Sequence, residues 1–465
     1  MFRSIVNTFA NCFKIPELKS RIIFTLSLLA VCRLTAWVRI PGLNGESLTS
    51  FFAHNAQGGG GMLGMYNTFA GGALEHCAIG SLGIMPYISA TIIIQLLTAV
   101  WPKLSKLARE ENGRSKIIQY GRYLTVLLCL GQGMFFAMGY EHPEKIFGQG
   151  IGRLVLYPDD QIWWYRIQAT LIMTTGTMLL MWLGEQITER GIGNGVSLVI
   201  TIGIVARLPM ALKETYEMFW PPGHVESNYH FAGTGVMLVI LLVLVIGGVI
   251  AITQAQRKVP VQYAQRAVGR KMYSGGTSFM PLRVNFSGVM PIIFAQSILM
   301  FPQRMFEGAA NYFSQPFLHD VFLGLARMLS YGSGLYLAIY SLMILFFAYF
   351  WVATQFNELQ IADDLKKNGG YIPGVRPGQG TSDYLHKSMS RITLAGAFFL
   401  MIIATIPIIL SRWMSIPPNV SQFFGGTSIL ITVGVLLDTM RQVESHLMMR
   451  HYDGFLKKGR LRGRF

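Results

Sequence analysis

Apolar residues fall along this chain in long blocks rather than at a short period. Ten such blocks lie near residues 21–38, 84–100, 120–139, 163–183, 193–209, 234–253, 286–302, 334–353, 392–410 and 425–441. Each is about as long as a helix must be to cross a ~30 Å hydrocarbon core at ~1.5 Å per residue. The block at 84–100 differs because a weaker one precedes it. Residues 62–79 are rich in small side chains, are broken by Gly64, Gly71 and Gly72, and carry Asn67, Glu75 and His76. They predict a half-helix that cannot cross unaided. The next run, from Ile84, has Pro86 near its start, where a missing N–H costs a helix least, and it can cross. Irregular backbone at membrane depth survives only where protein or water surrounds it, so the break predicts an internal cavity holding a stopper.

Composition places the blocks in a membrane. Of 465 residues 52% are hydrophobic and 13% charged, with a mean hydropathy of +0.41, a balance that a water-soluble domain does not carry. The chain reads as an all-α polytopic membrane protein. Its 50 glycines suit helices whose backbones approach closely. Residues 1–17 lack an apolar core, and the first block runs into Arg39-Ile40-Pro41-Gly42 instead of a small-residue cleavage site. The first helix is therefore expected to stay rather than leave as a signal peptide. Cys12, Cys32, Cys77 and Cys129 show no C-x-x-C or metal-ligand spacing and read as free thiols.

An even number of spans puts both termini on one side, and charge decides which. Segments sharing that side hold 29 of the 39 Lys and Arg and 12 of the 23 acids, a net of +17; the other 10 bases and 11 acids leave −1. The positive-inside bias places the basic side, with both termini, in the cytoplasm. Two loops exceed that bias. Residues 253–284 contain Gln256-Arg257-Lys258-Val259-Pro260-Val261-Gln262-Tyr263-Ala264-Gln265-Arg266, alternating enough for an extended hairpin, then Arg270 and Lys271. Residues 357–390 carry Glu358, Asp363 and Asp364, then Lys366 and Lys367, then Tyr371-Ile372-Pro373-Gly374-Val375-Arg376-Pro377-Gly378. Two prolines stiffen that turn, which presents Arg376 at low entropic cost. Both loops read as docking sites for something large, either an anionic RNA or an acidic protein. The outer loops carry no chemical motif.

Catalytic chemistry is sparse. None of the nine histidines falls inside a full span, which removes the usual base of an intramembrane serine protease, and there is no H-E-x-x-H and no G-x-x-x-x-G-K. Neither metal nor cofactor is expected. Ser333, in Gly332-Ser333-Gly334, reads as a turn or packing residue, and Arg33 as a cation that snorkels or pairs. Gln95, Gln132 and Asn285 interrupt the second, third and seventh blocks. Singly each reads as an interhelical hydrogen bond. On one seam they would make a contact stable yet exchangeable for water, a seam that can open.

On these residues the chain resembles the SecY family, the central subunits of bacterial protein-conducting channels. The matches are Phe69-Ala-Gly-Gly-Ala-Leu74, the run from Leu82 to Leu97, the run from Trp182 to Ser197, Gln256 to Ala264, Tyr371 to Gly378, and Phe424-Gly-Gly-Thr-Ser428. The resemblance implies ten transmembrane helices in two pseudo-symmetric five-helix halves, an inverted repeat, at residues 21–210 and 234–441. An external loop, 211–233, would join them. A cytoplasmic N-terminal segment (1–20), two cytoplasmic loops (253–285 and 355–390) and a basic tail (442–465) would complete the chain. It implies that residues 62–79 form a plug, carried by Met65, Asn67, Phe69, Gly71, Gly72 and Leu74, with Glu75-His76-Cys77 lending it unusual polarity. Ile84, Ile88, Ile200, Ile293 and Ile431 match the family's pore ring, and Gln95, Gln132 and Asn285 its lateral gate. Arg257, Lys258, Arg266, Arg270, Lys271 and Arg376 match the surface that receives a ribosome or the SecA ATPase. The implied partners are those two, small membrane subunits like SecE and SecG, signal sequences, nascent polypeptides and the lipids of a bacterial cytoplasmic membrane. A solute transporter is the competing reading, but it would place polar ligands at the midplane, where this chain is expected to place isoleucines.

Overall fold

The computed structural model describes residues 15–54, 62–110, 113–143, 154–220, 231–263, 266–268, 271–273, 276–312, 315–330, 332–414, 416–425 and 427–458. Its first helices are α1 (Pro16–Leu34), α2 (Gly45–His54), α3 (Met62–Phe69), α4 (Met85–Val100), α5 (Pro102–Arg109), α6 (Gly113–Glu141), α7 (Ile162–Arg190), α8 (Gly195–Ala206), α9 (Leu208–Phe219) and α10 (Val236–Gln254). Strands β1 (Gln256–Tyr263), β2 (Arg266–Val268), β3 (Lys271–Tyr273) and β4 (Thr277–Arg283) follow. Next come α11 (Met290–Tyr312), α12 (Pro316–Met328), α13 (Gly334–Gln355), α14 (Glu358–Lys367), β5 (Gly370–Tyr371), α15 (Gln379–Trp413), α16 (Pro418–Gly425) and α17 (Thr427–Lys458). The fold is mostly helical and polytopic. Among the described residues, six helical stretches are long and apolar enough to cross a membrane, and the pair α4 and α5, bent by 104°, makes a seventh if it counts as one span.

Local chemistry sets several of these boundaries. Pro16 and Pro86 lie in the first turns of α1 and α4, where no N–H is missed. Pro102 starts α5, and Trp101 before it is held extended (ψ 112°), as a residue preceding proline prefers, so the chain bends there. Asn194, Ser333 and Asn357 cap α8, α13 and α14 through side-chain oxygens that accept from the N–H of Ser197, Tyr336 and Gln360. Ser333 is thus a helix cap, in keeping with a turn role.

Residues 62–79 depart from the expected half-helix. Helix α3 ends at Phe69, and the chain runs through turns to Ile84. Gly71 and Gly72 have φ of +67° and +85°, left-handed values that a right-handed helix does not include. The all-α expectation also needs one amendment, a small sheet outside the apolar blocks. It has the order β4-β1-β5, with both neighbours antiparallel to β1, and β2 pairs with β3 separately.

The chain divides into two compact units: residues 1–227 with 417–420 and 431–465, and residues 228–416 with 421–430. In the first, α7 is the hub, packing against α1, α6 and α8. Gly176 lets α7 approach the chain so closely that an added Cβ would lie 2.1 Å from the Ile79 carbonyl oxygen. In the second, α13 packs against α11 and α15, and α10 meets α15 where Gly248 faces Phe399.

Candidate plug, pore residues and docking surface

Within the first unit, most of the segment from Tyr66 to Ile84 is buried, and it is tied down at several points. Asn67, Phe69, Gly71, Gly72 and Leu74 are all buried, and Met65 lies on α3. The Tyr66 hydroxyl donates to the Leu82 carbonyl at 3.0 Å, closing the segment on itself. Its far end forms backbone hydrogen bonds with the chain beyond α1: Ile40 N–H to Cys77 O and Ile79 N–H to Val38 O, both 2.9 Å. Its middle meets α8, where Gly71 and Gly203 approach so closely that a Cβ on Gly71 would lie 3.0 Å from the Gly203 Cα. The same Cβ would come within 2.6 Å of Arg33 Nη1. Gly71→Ala therefore meets both a left-handed φ and a backbone clash. It should cost about 1–2 kcal/mol from the conformation alone, read as a lowered unfolding midpoint of the purified protein in detergent.

This segment also gathers charge that its sequence does not foreshadow. Asn67 Nδ2 donates to Glu75 Oε2 at 2.7 Å, and Arg207 Nη2 donates to the same oxygen at 3.2 Å. Arg33 Nη1 donates to the Gly71 carbonyl at 2.8 Å, so the cation of α1 is paired rather than snorkelling. His76 stacks on Trp37 with ring centroids 5.1 Å apart. Nothing along the chain singles out Arg207, which lies 132 residues from its partner; only the possibility of a counter-ion for a buried Glu75 could have led to it.

The five isoleucines are all buried in the protein. Ile84 is 2% exposed, Ile88 6%, Ile200 1%, Ile293 1% and Ile431 0%, so none is a lipid-facing side chain. Ile84 caps α4 and Ile88 follows one turn on, its N–H donating to the Ile84 carbonyl at 3.2 Å. Ile200 sits on α8 three residues before Gly203, and Gly83, next to Ile84, lies against Ala70. The turns of 70–83 thus adjoin the positions that carry Ile84 and Ile200. Ile293 lies on α11 in the second unit, whereas Ile431, on α17, belongs to the first.

Of the amides, Gln95 on α4 and Gln132 on α6 are half-buried on helices that pack together, and Gln95 Oε1 is enclosed with no hydrogen-bond partner among the described residues. Asn285, in the second unit, is buried and its Oδ1 accepts from Ser287 at 3.4 Å. A fourth amide has no sequence signal that sets it apart: Gln296 on α11 is buried and donates to Thr427 at 3.4 Å.

The two basic loops fold as one body. Strand β1 pairs with β4 from Gln256 opposite Arg283 to Gln262 opposite Thr277, and its last two residues pair with Tyr371 and Gly370 of β5. Pro260 therefore lies beyond the reach of β5, on what is locally an edge. Val259, Val261 and Leu282 point inward to a core with Val352 and Phe356 at the end of α13, Ile372, and Leu385, Met389 and Ile392 of α15. Arg257, Lys258 and Arg376 remain exposed. The turn bearing Arg376 is braced by a Val375 N–H bond to Ile372 O and by the Thr381 hydroxyl bonding the Arg376 carbonyl, both 3.1 Å. Arg266 and Lys271 fall on the facing strands β2 and β3, and Arg270 lies outside the described residues.

A helical chain with several apolar spans, one of them preceded by a buried irregular segment, defines a polytopic membrane protein. The SecY family model matches residues 78–440, and the chain belongs to that family. It is 40% identical to the protein translocase subunit SecY of Chlamydia trachomatis over 462 residues, 98% of this chain and 99% of that one. It is 40% identical to the subunit of the same name from Escherichia coli K12, over 96% of each. In fold it is similar to a solved protein conducting channel, with a TM-score of 0.56 at 16% identity over 95% of this chain and 94% of the other. Canine Sec61, in a ribosome–channel complex from the endoplasmic reticulum, gives 0.52 at 16% identity over the same shares.

Proposed function

We propose that this chain is the pore-forming subunit of a protein translocase in a bacterial cytoplasmic membrane, passing unfolded polypeptides across and releasing apolar segments sideways into lipid. As a SecY family member it is a protein-conducting channel subunit and not an enzyme. The relatives named above are translocase subunits, and the canine neighbour sits on a ribosome. The finer reading has ten spans in two inverted five-helix halves, both termini cytoplasmic, and SecE- and SecG-like subunits alongside.

Ile84, Ile88, Ile200, Ile293 and Ile431 line the constriction. A ring of branched aliphatic side chains resists wetting when empty yet binds no passing side chain strongly. Residues 62–79 block it from outside. Gln95, Gln132 and Asn285 belong to the lateral gate, where an apolar signal helix shifts a closed–open equilibrium through its higher affinity for the open state. The driving force comes from SecA or a translating ribosome docked on Arg257, Lys258, Arg266, Arg270, Lys271 and Arg376. The observation that carries this reading is the tethered segment from α3 to Ile84, buried against the helix of Ile200. A transporter would need polar ligands where these isoleucines stand.

The test is electrical. Deleting residues 65–74 should raise the resting conductance of the reconstituted channel in planar bilayers, because the residues packed on α8 are gone. A deletion channel as silent as the parent removes the plug from this account.

A further inference from the structure

Glu75 lies inside the plug's turns, and two arginines from separate helices converge on it and its neighbours. Its carboxylate accepts from Arg207 Nη2 at 3.2 Å and Asn67 Nδ2 at 2.7 Å, while Arg33 Nη1 holds the Gly71 carbonyl at 2.8 Å. The Glu75 N–H also bonds Asn67 Oδ1 at 3.3 Å, and the Glu75 carbonyl accepts from the Thr49 hydroxyl at 3.1 Å. Side-chain exposure is 12% for Glu75 and 14% for Arg207. Arg207 Nη1 is enclosed and without a hydrogen-bond partner among the described residues, and Nη2 also donates to Met210 Sδ at 3.8 Å, so Glu75 is that guanidinium's one carboxylate partner among the described residues. Resting on the plug reading above, we propose that Glu75, Arg207 and Arg33 form an ionic latch: Arg207 and Arg33 are positioning residues that hold the plug's turn against α1 and α8, and opening requires the Glu75–Arg207 pair to part.

The physical case rests on where the bonds lie. A desolvated ion pair with hydrogen bonds on both partners is costly to half-break, because the survivor is left charged and unpaired. The backbone bonds at Cys77 and Ile79 tether the segment's far end, and Tyr66 ties it to Leu82. The turn between these ties is held to α8 by the Arg207 bond and to α1 by the Arg33 bond. Both arginines emerge from the ends of helices, Arg33 in the last turn of α1 and Arg207 capping α8. Each can therefore be tested apart from the rest of its helix.

The plug supplies its own reporter. Cys77 is 0% exposed, two residues from Glu75. In the full-length protein with Cys12, Cys32 and Cys129 replaced, reconstituted in proteoliposomes, Cys77 should react slowly with a membrane-impermeant maleimide. Glu75→Gln and Arg207→Gln should each speed labelling by about tenfold or more, as expected for an unpaired buried charge. The double variant should match the singles instead of multiplying them, since both break one interaction. Arg207→Lys, which keeps the charge, should restore slow labelling at least partly. If Glu75→Gln does not accumulate in the membrane, Glu75→Asp takes its place; it keeps the charge but falls one methylene short, and should also speed labelling. Rates within twofold of the parent in the single variants, or a double variant equal to the product of the singles, overturn the latch. A leaky deletion of 65–74 beside silent latch variants removes the latch and leaves the plug; a silent deletion removes the plug itself.

Discussion

Arg376→Glu should abolish translocation driven by SecA or a ribosome while leaving the protein folded and in the membrane. The arginine is exposed, and its guanidinium makes no bond among the described residues; the turn is held by backbone atoms and the Thr381 hydroxyl. No hydrogen bond or ion pair among the described residues depends on the side chain. A partner with a phosphate or carboxylate would meet it on a pre-braced loop, where breaking a charge pair costs about 2–5 kcal/mol. That is roughly a 30-fold to several-thousand-fold loss of affinity, and reversal replaces attraction by repulsion. Partner binding and translocation of a secretory precursor into proteoliposomes measure it. Normal translocation by a correctly inserted variant would exclude this turn from docking. High salt should weaken docking of the parent as well, because exposed charges are screened within about 10 Å at 0.1 M.

A second large effect is expected in the opposite sense, a gain of leak. Replacing Ile88 and Ile293 together by serine should raise ion conductance through the resting channel by about tenfold or more. Each residue is almost wholly enclosed, at 6% and 1% exposure. Burying an isoleucine side chain is worth about 1.5–3 kcal/mol, and a barrier to wetting lowered by only ~1.4 kcal/mol admits tenfold more ions. Serine supplies a hydroxyl where the proposed ring would have offered water nothing to bond. The two residues belong to different compact units. Single-channel recording with no substrate present is the measurement. A pair of substitutions that leaves conductance unchanged would put the constriction elsewhere.

Much of this was legible in one dimension. The apolar blocks at 234–253 and 334–353 became α10 and α13 almost residue for residue, because a helix in lipid satisfies its backbone alone and must be apolar along its whole length. The alternation at Gln256–Gln262 became β1, with Val259 and Val261 inward and Lys258 and Pro260 outward. Pro86 marked a helix start. The half-helix expected over 62–79 stops at Phe69, since a glycine pair does not announce which sign of φ it will adopt.

What the sequence by itself determined is the set of elements: which stretches are helical or extended, and which helices are long and apolar enough to cross a membrane. These are properties of neighbouring residues, repeated every turn or every second residue. Only the tertiary structure decided which polar groups meet. It joined two loops about a hundred residues apart into one sheet through Gln262 opposite Tyr371, and it brought Arg207 to Glu75 across 132 positions. Such pairings leave no periodic trace. They are selected by the need to satisfy each buried charge and each strand edge with whatever partner the packed helices bring within reach.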